Sequence, residues 1–293
     1  MQIQLVTGTT LSKLIAGAWL ASGEHLELAG FRIFTRVEGS GPWLTLLHGF
    51  PTSSWDFARV APLLAPSRRL LALDFIGYGA SAKPRDHTYT IGAQADVVEA
   101  LWKHHGIGAG ETAILAHDYG DTVTLELLAR GAKVRGVTFL NGAIINSLNR
   151  ILVIQKLLRL PGVGAVITRL VSEGRFAASF RKIFSAEHPV SDEDVHEHWE
   201  LICRERGNTL YHKLVYFYTE LERNVERWEG TLAKTETPAQ LVWGMGDPVS
   251  RADMVAYIRE HAPRVAVHEL PGIGHYPHYE VPERVAELVL SQA

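Results

Sequence analysis

A chain of 293 residues, 46% of them hydrophobic and 21% charged, has the balance of one large α/β domain with room for a sizeable core. Its formal net charge of −3 excludes the general basic surface that nucleic acid or an acidic membrane would select. The single cysteine, Cys203, excludes an internal disulfide framework and fits a reducing, cytoplasmic setting.

Residues 14–20, Leu-Ile-Ala-Gly-Ala-Trp-Leu, follow no basic run and fall far short of the roughly 20 apolar residues of a membrane span. An amphipathic leading helix is expected there. From Phe31 onward short apolar runs alternate with helical stretches. The runs at 44–47, 70–73, 113–116, 136–140, 240–243 and 265–270 are continuous and bounded by turn residues. That is the pattern of strands covered on both faces, hence of a mostly parallel sheet. Helical patterns at 94–105 and 122–129 supply crossovers. From 144 to 228 the pattern is helical throughout, and an insertion at that point sits over the strand ends. The expected organisation is a core of 1–143, a helical cap of 144–228 and a second core part of 229–293. Cys203 falls in a helical stretch with no activating neighbour, so it reads as structural.

Four segments carry chemistry. Leu115-Ala116-His117-Asp118-Tyr119-Gly120 runs from a strand into a helix, with small residues two positions either side of Asp118. A sharp strand-to-helix turn needs that spacing, and it pushes the central side chain out over the sheet. The competing reading of Asp118 is a helix N-cap. His48-Gly49-Phe50-Pro51 matches an oxyanion loop, in which the Phe50 and Tyr119 N–H groups face the reacting carbonyl. His275, in Gly272-Ile273-Gly274-His275 after the last strand, is placed as a general base. Asp247, after the preceding strand, would orient His275, although Asp-Pro is also a common turn. Nucleophile, acid and histidine stand in the chain order of an α/β-hydrolase.

Other patterns lack their context. Gly106-Ile107-Gly108-Ala109-Gly110 follows a helix and precedes a strand, the reverse of a dinucleotide turn. His196 and His198 lie two apart, on different faces of a helix, so no metal site is read from them. No residue pattern calls for a cofactor.

Together these phrases, with His48–Trp55, Ala72–Ser81, His117–Asp121 and Gly246–Val249, resemble the epoxide hydrolase and haloalkane dehalogenase branch of the α/β-hydrolase superfamily. Within that branch the likeness is to mesoderm-specific transcript-like hydrolases, from about Trp19 to the C-terminus. The resemblance implies an α/β-hydrolase fold with a cap, an Asp118–His275–Asp247 triad, and His48, Trp55 and Tyr216 against the substrate. It also implies that Tyr218, in the cap segment 214–224, activates an epoxide oxygen, with Tyr211 or Tyr216 standing in for a second tyrosine.

An aspartate nucleophile suits attack on a saturated carbon, because acyl transfer would leave an anhydride. The expected partner is therefore a small apolar electrophile, an epoxide first and a haloalkane second. Tyr119 and Phe50 occupy the places where dehalogenases of this branch hold halide, and Asn141 the place of an alternative acid. An esterase would need serine at 118. A binding protein that retains the triad is the reading from another class. Neither nucleic acid nor membrane is expected as a partner, and the chain is read as a monomer or homodimer.

Overall fold

The computed structural model describes residues 15–149 and 153–292. A leading helix runs Ala16–Ala21, while Leu14 lies outside the described residues. Eight strands form one sheet: β1 (Glu24–Leu28), β2 (Phe31–Gly39), β3 (Trp43–Leu47), β4 (Arg69–Leu73), β5 (Thr112–His117), β6 (Val137–Leu140), β7 (Ala239–Gly244) and β8 (Ala266–Leu270). Their order is β1-β2-β4-β3-β5-β6-β7-β8. All pairings from β4 to β8 are parallel; only β1–β2 and β2–β4 are antiparallel. The six apolar runs coincide with β3 to β8. The hairpin β1–β2, which no continuous apolar run marks, closes through Ala29 and Gly30, both at positive φ, as a two-residue hairpin turn requires.

Alternation along the central strands divides the core in two. On β3, Leu44 and Leu46 face one core with the helices Ala61–Leu64 and Pro282–Ser291, while Leu47 faces the other. On β5, Leu115 turns to the first core and Ile114 and Ala116 to the second, against the helix Ile91–His104. Both faces are buried, which is why these strands read as unbroken apolar runs. The one polar residue in β3, Thr45, is buried but accepts from the Trp102 indole at 2.8 Å, so its hydroxyl is not left unpaired.

Between β6 and β7 the described residues form seven α-helices, from Val153–Leu158 to Val225–Lys234. The expected boundary at 228 falls inside the last of these. That helix is tied to the helix after β5: Glu126 accepts from the Trp228 indole at 2.8 Å and from Arg227 at 2.9 Å. Burial works against the Glu126 carboxylate, but Arg227, Trp228 and Arg130 outweigh it and hold its pKa at about 2. None of the described helices is long and apolar enough to cross a membrane.

Candidate active site

Strands β5, β7 and β8 are parallel and end on one side of the sheet, where open α/β sheets bind ligands. The loop after each delivers one of the expected side chains. Asp118 follows β5 directly and adopts φ 50°, ψ −108°, a conformation that costs a non-glycine residue about 1–3 kcal/mol. Neighbouring backbone enforces the turn. A Cβ on Gly120 would stand 2.2 Å from the Leu47 carbonyl oxygen, and one on Gly49 would stand 2.9 Å from Asp118 Cβ. Gly120→Ala is therefore expected to lose about 1–3 kcal/mol or more in denaturant unfolding. Gly230→Ala is the control: its Cβ would meet nothing within 4 Å, and in a helix interior it should gain about 0.5–1 kcal/mol.

The Asp118 side chain makes no N-cap hydrogen bond. Instead Oδ1 accepts from the Phe50 N–H at 2.8 Å, and Oδ2 lies 3.5 Å from His275 Nε2. His275 Nδ1 donates to Asp247 Oδ2 at 2.7 Å. Asp247 is itself held from two more directions: Oδ2 accepts from Asn141 Nδ2 at 2.9 Å and Oδ1 from the Val249 N–H at 2.7 Å. The three expected residues thus lie in one continuous chain of contacts, each nearly buried.

Burial opposes the imidazolium of His275, yet Asp247 and the hydrogen bond to Asp118 outweigh it and lift the pKa to about 10. For Asp118 burial likewise works against the charged form. The hydrogen bond and charge of His275, the charge of His117 and the Phe50 N–H prevail and lower its pKa. At neutral pH the resting pair is carboxylate and imidazolium.

Above them lies a cavity of about 500 Å³, lined by Asp118, His275 and Phe50 from the core and mostly by apolar side chains from the helices between β6 and β7. Two phenols line it, Tyr211 and Tyr218. Tyr218 accepts from Gln155 Nε2 at 3.0 Å, which leaves its own proton to donate. The Tyr211 hydroxyl has no hydrogen-bond partner among the described residues. Burial pushes both pKa values well above that of a free phenol, so both remain donors.

Three expected substrate contacts are corrected. His48 does not line the cavity. It is fully buried, its Nδ1 bonded to the Gly49 carbonyl at 2.8 Å and its Nε2 accepting from the Phe75 N–H at 3.0 Å. Its place is the framework of the Phe50 loop, and burial lowers its pKa and keeps it neutral. Trp55 packs edge-on against Trp19, 5.8 Å between ring centroids, in the core on the far face. Tyr216 lies two residues from Tyr218, about 200° around a helix. Its hydroxyl accepts from Arg223 at 2.8 Å, away from the cavity. The Tyr119 ring is buried against Phe75, Tyr78 and Phe217, so only its backbone can face a substrate. Cys203 ends a helix, half-buried, its thiol pushed up to about 11 by burial and by Glu200 and Glu173.

For two residues of the site the sequence does not reveal the role: it marks Asn141 only as the place of an alternative acid, and Glu280 not at all. Asn141 grips β7 as well as Asp247, donating to the Gly244 carbonyl at 3.0 Å and accepting from the Gly244 N–H at 2.8 Å. Glu280 accepts from the N–H groups of Gly274 and Ser185, at 3.1 and 3.0 Å, and so pins the His275 loop to the helical insertion. Beneath that loop Asp56, His117 and His278 converge, with ligand-capable atoms all within 4.8 Å of one another. His117 Nδ1 stands 3.8 Å from Asp56 Oδ2, wider than the roughly 3.4 Å between ligands of tetrahedral zinc.

A family model for the alpha/beta hydrolase fold matches residues 42–282. The putative hydrolase LipZ of Mycobacterium tuberculosis (strain ATCC 25618 / H37Rv) is 40% identical over 280 residues, covering 93% of this chain and 96% of its own length. The mesoderm-specific transcript homolog protein of Homo sapiens is 35% identical over 280 residues, covering 90% of this chain and 84% of its own. Among solved structures, the haloalkane dehalogenase DbeA from Bradyrhizobium elkani USDA94 superposes with a TM-score of 0.78 at 25% identity, covering 92% of this chain and 96% of that one.

Proposed function

The chain belongs to the α/β-hydrolase fold family, and as a hydrolase of that family we propose that it opens epoxides to diols through an ester on Asp118. One observation carries this reading: the two oxygens of Asp118 are differently engaged. Oδ1 is held by the Phe50 N–H, while Oδ2 lies 3.5 Å from His275 Nε2, and both Asp118 and His275 line the cavity.

Oδ2 attacks a saturated carbon of the epoxide, the ring C–O bond breaks, and the ring oxygen takes a proton from Tyr218 or Tyr211. Oδ1 is then the ester carbonyl oxygen, already held by the Phe50 N–H, with the Tyr119 N–H as the second donor in this reading. Ester formation also removes the Asp118 charge that helps hold a proton on His275. Its pKa falls, the imidazolium gives up its proton to restore the phenol, and the neutral imidazole then takes a proton from the water that attacks the ester carbonyl. Asp247 steadies the imidazolium, and collapse of the tetrahedral intermediate frees the diol and restores the carboxylate. Residues 144–228 act as the cap that contributes the phenols and excludes bulk water.

Dehalogenation is the second reading, favoured by the similarity to DbeA. Against it, no tryptophan among the described residues lines the cavity to hold a halide, and the residue after Asp118 turns its ring into the core. A panel of epoxides and haloalkanes, assayed for diol and halide beside Asp118→Ala, separates these readings. Diol formation abolished by the substitution is the expected result. Halide release in its place would reverse the order, and neither product would leave the binding-protein reading.

A further inference from the structure

The first two helices of the insertion, Val153–Leu158 and Val163–Arg169, are amphipathic in the wrong sense for a core. They pack against each other closely, since a Cβ on Gly164 would stand 2.0 Å from the Leu158 carbonyl oxygen. Leu158 and Gly164 are inside, yet Val153, Leu157 and Leu160 on one side and Val163, Val166 and Leu170 on the other face solvent. Spacings of three and four residues align Val153 with Leu157, and Val163 with Val166 and the C-cap Leu170, in two stripes, with Leu160 just past the end of the first helix. Val166 and Leu170 are 57% and 58% exposed, and a contiguous apolar face of this kind marks an interaction surface.

Charge identifies its occupant. Residues 153–182 hold six cations and one anion, Glu173, a local net charge of +5 in a chain whose total is −3. Arg159 and Arg181 pair with Glu222 and Asp192. Lys156, Arg169, Arg175 and Lys182 pair with no carboxylate among the described residues. The whole-chain charge conceals this face, which is why no membrane partner was expected.

We propose that the hairpin of these two helices docks on a lipid bilayer with anionic headgroups, its apolar stripes in the acyl boundary and its cations among the phosphates. Ile154 and Leu170 are exposed and also line the cavity above Asp118. The docked face therefore opens the cavity toward the phase in which an apolar substrate dissolves. The surface holds whether or not epoxide is the substrate.

Vesicle flotation of the full chain tests it, using phosphatidylcholine alone and an equal mixture with phosphatidylserine. Binding to the mixture, weakened several-fold at high salt and lost in Val166→Asp, is expected. Lys156→Glu/Arg169→Glu, which leaves the apolar stripes intact, should lose the preference for the anionic mixture, and Asp118→Ala should bind as the parent does. Absence of binding to either vesicle overturns the proposal. A dimer in light scattering that Val166→Asp dissociates, without vesicle binding, would assign the face to a second copy of this chain.

Discussion

His275→Gln is expected to stop the enzyme halfway, leaving protein heavier by the full mass of one epoxide. The two half-reactions ask different things of the site. Alkylation needs Asp118 ionised and Oδ2 facing the carbon; the Phe50 N–H at 2.8 Å still supports the carboxylate when the imidazole is gone. Hydrolysis needs a base beside the ester, and the triad provides one at 3.5 Å from Oδ2. Glutamine keeps polarity near Asp247 but cannot take a proton, so turnover should fall by roughly 10²–10⁴-fold while the first step persists. Intact-protein mass spectrometry reads the adduct, and a peptide map assigns it to Asp118. Asp118→Ala, treated in the same way, should gain no mass. If His275→Gln turns over epoxide with no adduct, water is attacking the epoxide directly and the ester mechanism fails.

The order of these residues was legible because sheet and turn both leave strong local marks. Strands buried on both faces must be apolar throughout, so β3 to β8 stand out, and the strained turn at Asp118 admits only small residues at 116 and 120. Strands β1 and β2 are half exposed. Their residues alternate weakly, and nothing local separates them from loop. The cavity-lining residues of the insertion leave the weakest local mark. Tyr211, Tyr216 and Tyr218 carry the same side chain within eight positions, and only helix phase and packing decide which of them line the cavity. Similarly, Trp55 sits in the motif that follows Phe50, yet Trp19, brought in from the leading helix, claims it for the core. Asn141 and Glu280 act through pairings more than 90 residues apart along the chain, which no spacing rule anticipates.

Tyr211→Phe and Tyr218→Phe distinguish the two candidate leaving groups by whether departure needs a proton. An epoxide oxygen leaves as an alkoxide and must be protonated; a halide leaves as a stable anion. Loss of a phenol should therefore slow epoxide alkylation by roughly 10²-fold or more, measured as the rate of adduct formation in the His275→Gln background, and leave halide release from any haloalkane unchanged. Of the two, Tyr211→Phe is the cleaner test, because its hydroxyl has no partner among the described residues to disturb. Tyr218→Phe also strips the acceptor from Gln155, so part of its effect is repacking, which a thermal-unfolding measurement on the same variant separates. A loss confined to Tyr218→Phe would make it the sole donor and Tyr211 part of the wall. Full activity in the double variant would mean that neither phenol supplies the proton, and with that the preference for epoxide over halide would lose its physical basis.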